Sequence, residues 1–266
     1  MSDSAGMGTF LVNLFRLLKG RPQIPVSLKE NKLIQVILNR RSIRSFNGEE
    51  IPADVFSAIL EAGRVAPSTV NLQTWSFVVF TSADWKKIFG RTIPFNARRA
   101  VIILADTYRL KQVMDVFPYS PLVEYTTAVM NASLAAMNMT IAAEALGVSS
   151  VMLSETGRTG LLDVGYLKEM LGLPGGVIPL TTIVFGYARD IYPPMPPRLP
   201  IEQITFCGTY PSPEKTQLQA WMSQMEAGYK ASHPGSSLSR QVEVYKEKIG
   251  KAEADLKKMV FYLDNE

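Results

Sequence analysis

Hydrophobic positions along the chain follow two rhythms, one helical and one extended, and their order predicts the fold class. Leu33, Ile34, Ile37 and Leu38 recur at helical intervals behind Ser27-Leu28-Lys29-Glu30, which has capping-box spacing, so a helix is expected over about 28–39. Ile51-Pro52-Ala53-Asp54 opens a second helix, with Val55, Phe56, Ile59, Leu60 and Ala62 on one side and Pro67 closing it. Runs of β-branched and aromatic residues at 75–81, 100–105, 148–153 and 180–187 read as strands. Residues 126–146 are small or apolar on almost every side before Gly147, which predicts a helix buried all round. A short helix over 166–171 is ended by Gly172.

Strands and helices are interspersed without a regular βαβ beat, so the expected class is α+β, a mixed central sheet flanked by helices. Pro193, Pro194, Pro196, Pro197 and Pro200 then force an extended excursion. Beyond it, residues 214–228 read as a helix, and Val242, Tyr245, Ile249, Ala252, Leu256, Met259 and Leu263 step by 3, 4, 3, 4, 3, 4, a heptad seam that needs a packing partner. Three regions follow: an N-terminal arm over 1–27, a core domain over 28–206 and a helical extension over 207–266.

Composition changes the picture mainly by what is scarce. The 266 residues are 47% apolar with a formal charge of +4, yet they include one histidine, His233, and one cysteine, Cys207. A zinc site or an iron–sulfur cluster cannot be assembled from so few ligands, and no metal is expected. His233 sits in the turn-like Ser232-His233-Pro234-Gly235, a poor place for a catalytic triad. One cysteine permits no internal disulfide, which fits a cytoplasmic location. Thr9 to Lys19 is apolar and basic but much shorter than the roughly 20 residues of a membrane span, so an arm packed on the body or on a second subunit is expected. The basic residues are thinly spread and form no nucleic-acid module, and neither GxGxxG nor GxxxxGK[ST] occurs.

Two stretches carry candidate chemistry. Arg40-Arg41-Ser42, with Arg44 just beyond, follows the first predicted helix. These cations serve equally to relieve a helix macrodipole or to grip a phosphate monoester through forked, charge-assisted hydrogen bonds. Ala66 to Trp75, APSTVNLQTW, strings Ser, Thr, Asn and Gln between a helix and a strand. Turn chemistry accounts for this first, and recognition of a flat heterocycle's edge second.

Taken together, the chain resembles the FMN-dependent nitroreductase-like oxidoreductases. The resemblance rests on RRSIRSF at 40–46, the APSxxNxQ(P)W-like segment at 66–75, EALG at 144–147, the LGLPGG stretch running to Gly186-Tyr187, and RLP at 198–200, in the family's order and spacing. It implies an intertwined homodimer with FMN sites shared between subunits. Arg40, Arg41, Ser42 and Arg198 would hold the flavin phosphate, and Arg44 would face the negative charge of reduced flavin. Pro67, Ser68, Thr69 and Asn71 would reach the partner's flavin, with Gln73 supporting them. The backbone of Ser154, Glu155, Thr156 and Gly157 would approach flavin N5.

The implied activity is hydride transfer from NAD(P)H through the flavin to a flat small-molecule acceptor, a nitroaromatic, quinone or second flavin. Alternatives are a narrower-specificity enzyme of the same fold, or a flavin-binding scaffold whose C-terminal helix takes a partner. Residues 108–125, with Phe117, Tyr119 and Tyr125, fall where such enzymes vary their lid. Thr74 departs from the family's proline before Trp75, and Pro196 from a second cation before the RLP arginine.

Overall fold

The structure, a computed structural model, describes residues 24–154, 158–196, 198–212, 214–233 and 235–263. Among these, residues 30–193 with 248–263 form the larger of two compact units, and 24–29 with 194–247 the smaller. The expected Thr9–Lys19 arm lies outside the described residues.

The larger unit begins with α1 (Lys32–Asn39), shorter than expected. Asn31, not Ser27, caps it, its side chain accepting from the Ile34 amide at 3.1 Å, while Val26–Leu28 turns as a separate 3-10 element. A capping-box pattern is thus overridden by a better-placed Asx cap four residues on. α2 (Ala53–Arg64) is followed by β1 (Trp75–Thr81), α3 (Ser82–Phe89), β2 (Arg99–Asp106) and the short α4 (Tyr108–Lys111). Then come α5 (Pro121–Ala145), β3 (Ser149–Leu153), α6 (Val164–Leu171) and β4 (Val177–Gly186). α3 has no counterpart in the sequence reading. A Thr81/Asp84 capping box starts it, and Trp85, fully buried, packs between Phe80 and Phe89.

The four strands form one sheet in the order β1-β2-β4-β3, and every pairing is antiparallel, so the expected mixed sheet is corrected. Strand direction depends on where each connection returns the chain, which residue patterning leaves open. Among the described residues the parallel pairing is an isolated bridge, Ser42 with Ser150 at the outer edge of β3, where the Ile43 amide donates to the Ser150 carbonyl at 3.1 Å. One face of the sheet packs around Trp85, Phe46 and Leu167, the other around α2 and α5 through Ile59, Phe185, Ala135 and Met139.

α5 starts five residues before the expected position, with Pro121 in its first turn. It is not buried all round in the single chain: Val123, Met130, Leu134 and Met137 form an exposed apolar stripe, 61%, 52%, 42% and 38% accessible. Small residues such as Ala132, Ala135, Ala136 and Ala143 fill the inner face.

α7 (Lys215–Ser232) lies in the smaller unit, with His233 stacked on Tyr229 at its C-terminal end. α8 (Leu238–Val260) spans the boundary between units. The heptad seam is realised in its C-terminal half, where Ala252 and Met259 are buried and Met259 joins Ala105, Ala128, Val164 and Ile178. Val242, Tyr245 and Ile249 are exposed. Among the described residues no helix is long and apolar enough to cross a membrane.

Candidate active site

Arg40 is the C-terminal cap of α1, so the chain leaves the helix just where its carbonyl end favours cations. Arg41 folds back, its Nη1 donating to the Leu38 and Arg40 carbonyls, both at 2.8 Å. Ser42 follows on the bridge to β3, and Arg44 is exposed. Phe46 anchors this segment: its ring lies so close over Gly186 that a Cβ there would meet Phe46 Cδ1 at 2.8 Å.

Glu144, on the last turn of α5, faces the same cations. Burial holds its carboxyl above the ordinary range, while a Tyr192 hydrogen bond and the charges of Arg40 and Arg41 pull it down. Tyr192 donates to Glu144 at 3.4 Å and shares a 2.7 Å hydrogen bond with Ser149. The neighbouring Ser150 is 1% exposed, and its hydroxyl has no hydrogen-bond partner. Arg40 and Arg41 at the end of α1, with the hydroxyl of the adjoining Ser42, are a donor set whose chemistry suits a phosphate monoester. Arg198 is exposed and belongs to the smaller unit.

The polar loop after α2 carries three left-handed residues that are not glycine, Val70 (φ 49°), Asn71 (φ 56°) and Gln73 (φ 49°). Each costs on the order of 1–2 kcal/mol, most for the β-branched Val70, so the loop persists only where its surroundings over-determine it. Pro67, Thr69, Asn71 and Gln73 are exposed and Ser68 is half-buried. The Gln73 amide donates to the Ser68 hydroxyl at 3.0 Å, and the Gln73 side chain donates to the Asn71 carbonyl. From α5, Asn131 accepts from the Thr69 amide at 3.0 Å and donates to the Thr74 hydroxyl at 2.8 Å. The Asp106 amide donates to the Thr74 carbonyl at 3.1 Å, tying the loop to the end of β2.

Ser154 is exposed at the end of β3, whereas Glu155, Thr156 and Gly157 lie outside the described residues. The three aromatics of 108–125 have separate fates: Phe117 is buried, Tyr119 is 94% exposed, and Tyr125 packs into the cluster beneath α8. Asn96 donates to the Phe46 carbonyl at 3.4 Å, and Arg99 lies over the Phe56 ring.

A model of the nitroreductase family matches residues 37–187, more than half of the chain. The chain belongs to the nitroreductase family. It is 31% identical over 163 residues to a putative NADH dehydrogenase/NAD(P)H nitroreductase of Archaeoglobus fulgidus, which covers 59% of this chain and 86% of that protein. An FMN reductase (NADPH) of Bacillus subtilis is 28% identical over 191 residues, covering 68% and 75%. Among solved structures, nitroreductase A from Vibrio parahaemolyticus superposes with a TM-score of 0.68 at 25% identity, over 82% of this chain and 91% of that one. This nitroreductase-family chain is therefore an oxidoreductase with the family's α+β fold.

Asn131, Ser150 and Tyr192 belong to no motif that sequence reasoning used. Asn131 left one trace, an amide between Met130 and Ala132 in a largely apolar stretch of helix, the kind of residue that is buried only with partners.

Proposed function

We propose that the chain is an FMN-dependent oxidoreductase that takes reducing equivalents from NAD(P)H and works as a homodimer. The observation that carries this is the placement of Arg40 and Arg41 beside Ser42 at the open end of α1. In this reading they hold the flavin phosphate together with Arg198, and Arg44 supplies a cation to the flavin's pyrimidine edge. Pro67, Ser68, Thr69, Asn71 and Gln73 present polar groups from the strained loop to the partner's flavin. The backbone from Ser154 through Glu155, Thr156 and Gly157 closes the site. The chemistry supplied by a bound flavin is reversible storage of two electrons. The protein's task is to orient, to neutralise charge and to keep the acceptor flat against the ring.

Relatives named for FMN reductase and NAD(P)H nitroreductase activity support both the cofactor and the reductant. The apolar stripe of Val123, Met130, Leu134 and Met137 supports dimerisation, since a second copy would bury it. The physiological acceptor in this reading is a flat small molecule of the nitroaromatic, quinone or flavin class.

The test is to soak the purified protein in FMN, record its visible spectrum, and add NADPH or NADH anaerobically. Retained flavin that bleaches with either nucleotide and reoxidises with menadione or a nitrofuran is expected. A protein that stays colourless overturns the cofactor assignment, and bound flavin that neither nucleotide reduces points to a binding module.

A further inference from the structure

The loop at 69–74 holds three residues in a conformation that L-amino acids avoid, and its two flanks are tied to one side chain. That side chain is Asn131, 1% exposed on α5. Its Oδ1 accepts from both the amide and the hydroxyl of Thr69, at 3.0 and 3.2 Å. A backbone amide can only donate, so this contact fixes which way the Asn131 amide faces. Its Nδ2 is thereby aimed at the buried Thr74 hydroxyl, at 2.8 Å. Val70, Asn71 and Gln73 lie between the two pinned positions.

We propose that Asn131 is a positioning residue: by fixing Thr69 and Thr74 together it holds Asn71 and Gln73 in the left-handed geometry that presents them to the flavin. The inference rests on the flavin reading above and adds the residue that shapes the flavin-facing loop. It also gives Thr74 a role. Its hydroxyl accepts the Asn131 bond, so the two positions work as a pair.

The test compares the parent chain with Asn131→Leu, Asn131→Asp and Thr74→Val. FMN is titrated into each apoprotein by fluorescence quenching, the bound flavin's visible circular dichroism is recorded, and hydrogen exchange is followed at the Thr69 amide. Asn131→Leu should weaken FMN binding by about 10- to 100-fold, alter the dichroism and speed Thr69 exchange. Thr74→Val should weaken binding by about 3- to 10-fold. Asn131→Asp keeps an acceptor for Thr69 but loses the Nδ2 donor to Thr74, and should fall between the parent and Asn131→Leu. Parent-like affinity and dichroism in Asn131→Leu overturns the proposal. If Asn131→Leu does not fold, parent-like affinity and exchange in Thr74→Val does the same. A parent chain that binds no FMN ends the flavin reading itself, an outcome distinct from variants that bind as well as a binding parent.

Discussion

The Tyr262 hydroxyl donates a 2.5 Å hydrogen bond to Oε1 of Glu124, a buried carboxylate 138 residues earlier in the chain. Lys111 reaches the same carboxylate at 3.2 Å and the Tyr262 hydroxyl at 2.7 Å, and Thr107 also donates to Glu124. The end of the chain is thereby fastened to the start of α5 and to α4. Tyr262→Phe should destabilise by about 1–2 kcal/mol, because Glu124 keeps its other donors. Burial, with the Glu124 bond adding to it, raises the Tyr262 pKa above its ordinary 10.0. The folded state therefore keeps the proton longer, and the tyrosine's contribution is whole below about pH 10 and lost as pH rises through the folded value. Urea unfolding of parent and variant should give a constant gap near neutrality that narrows at strongly alkaline pH.

Glu144 titrates with the same sign, but in the acid range and as a cost. Its folded pKa is held above 4.5 chiefly by burial, so the folded state binds a proton more readily than the unfolded chain. Stability from this group falls as pH rises above 4.5, and the cost of ionisation is fully developed once pH has passed the folded value. Glu144→Gln should therefore melt above the parent at pH 7, with the difference vanishing below about pH 4.5. It should also bind FMN more tightly, since a negative charge beside Arg40 and Arg41 is removed. Thermal melts across pH and an FMN titration check both directions.

Arg41→Ala should raise the FMN dissociation constant by roughly 10- to 100-fold, the loss of a charge-assisted contact worth about 1.5–3 kcal/mol. Arg41→Lys keeps the charge but not the fork and should recover part of that loss. Arg41→Ala also removes the donors to the Leu38 and Arg40 carbonyls, so a small drop in stability is expected alongside. Calorimetric titration of the apoproteins, with melts in parallel, separates the two effects.

At Gly186 an added methyl would meet the Phe46 ring at 2.8 Å. Gly186→Ala should cost about 1–3 kcal/mol, as overpacking of a filled core does. Phe46→Leu in the same chain should return part of that cost. A double-mutant cycle by chemical denaturation would show coupling if the ring is the obstacle, and additivity if it is not.

How much of this was legible beforehand varies with the kind of information needed. The four strands appear within a few residues of their expected positions because Val, Ile and aromatic runs are dictated by burial. Their directions, and the helix at 82–89 whose sequence is half polar, depended on tertiary packing around Trp85. α1 started late because Asn31 offered a competing cap. Arg40 and Arg41 were legible as neighbouring cations and both face Glu144, but Glu144 and Tyr192 join them only through the fold. The loop's polar residues could be read off the chain. Its left-handed backbone, and the asparagine on a distant helix that sustains it, could not.

The bridge between Ser42 and Ser150 has a second consequence. β3 is a rim strand of the sheet, and such a rim offers bare amides and carbonyls to any stray chain. By laying Ser42 and Ile43 along it, the arginine-bearing segment also acts as a guard rail against chain-to-chain stacking. Displacing this stretch should therefore cost solubility before it costs secondary structure.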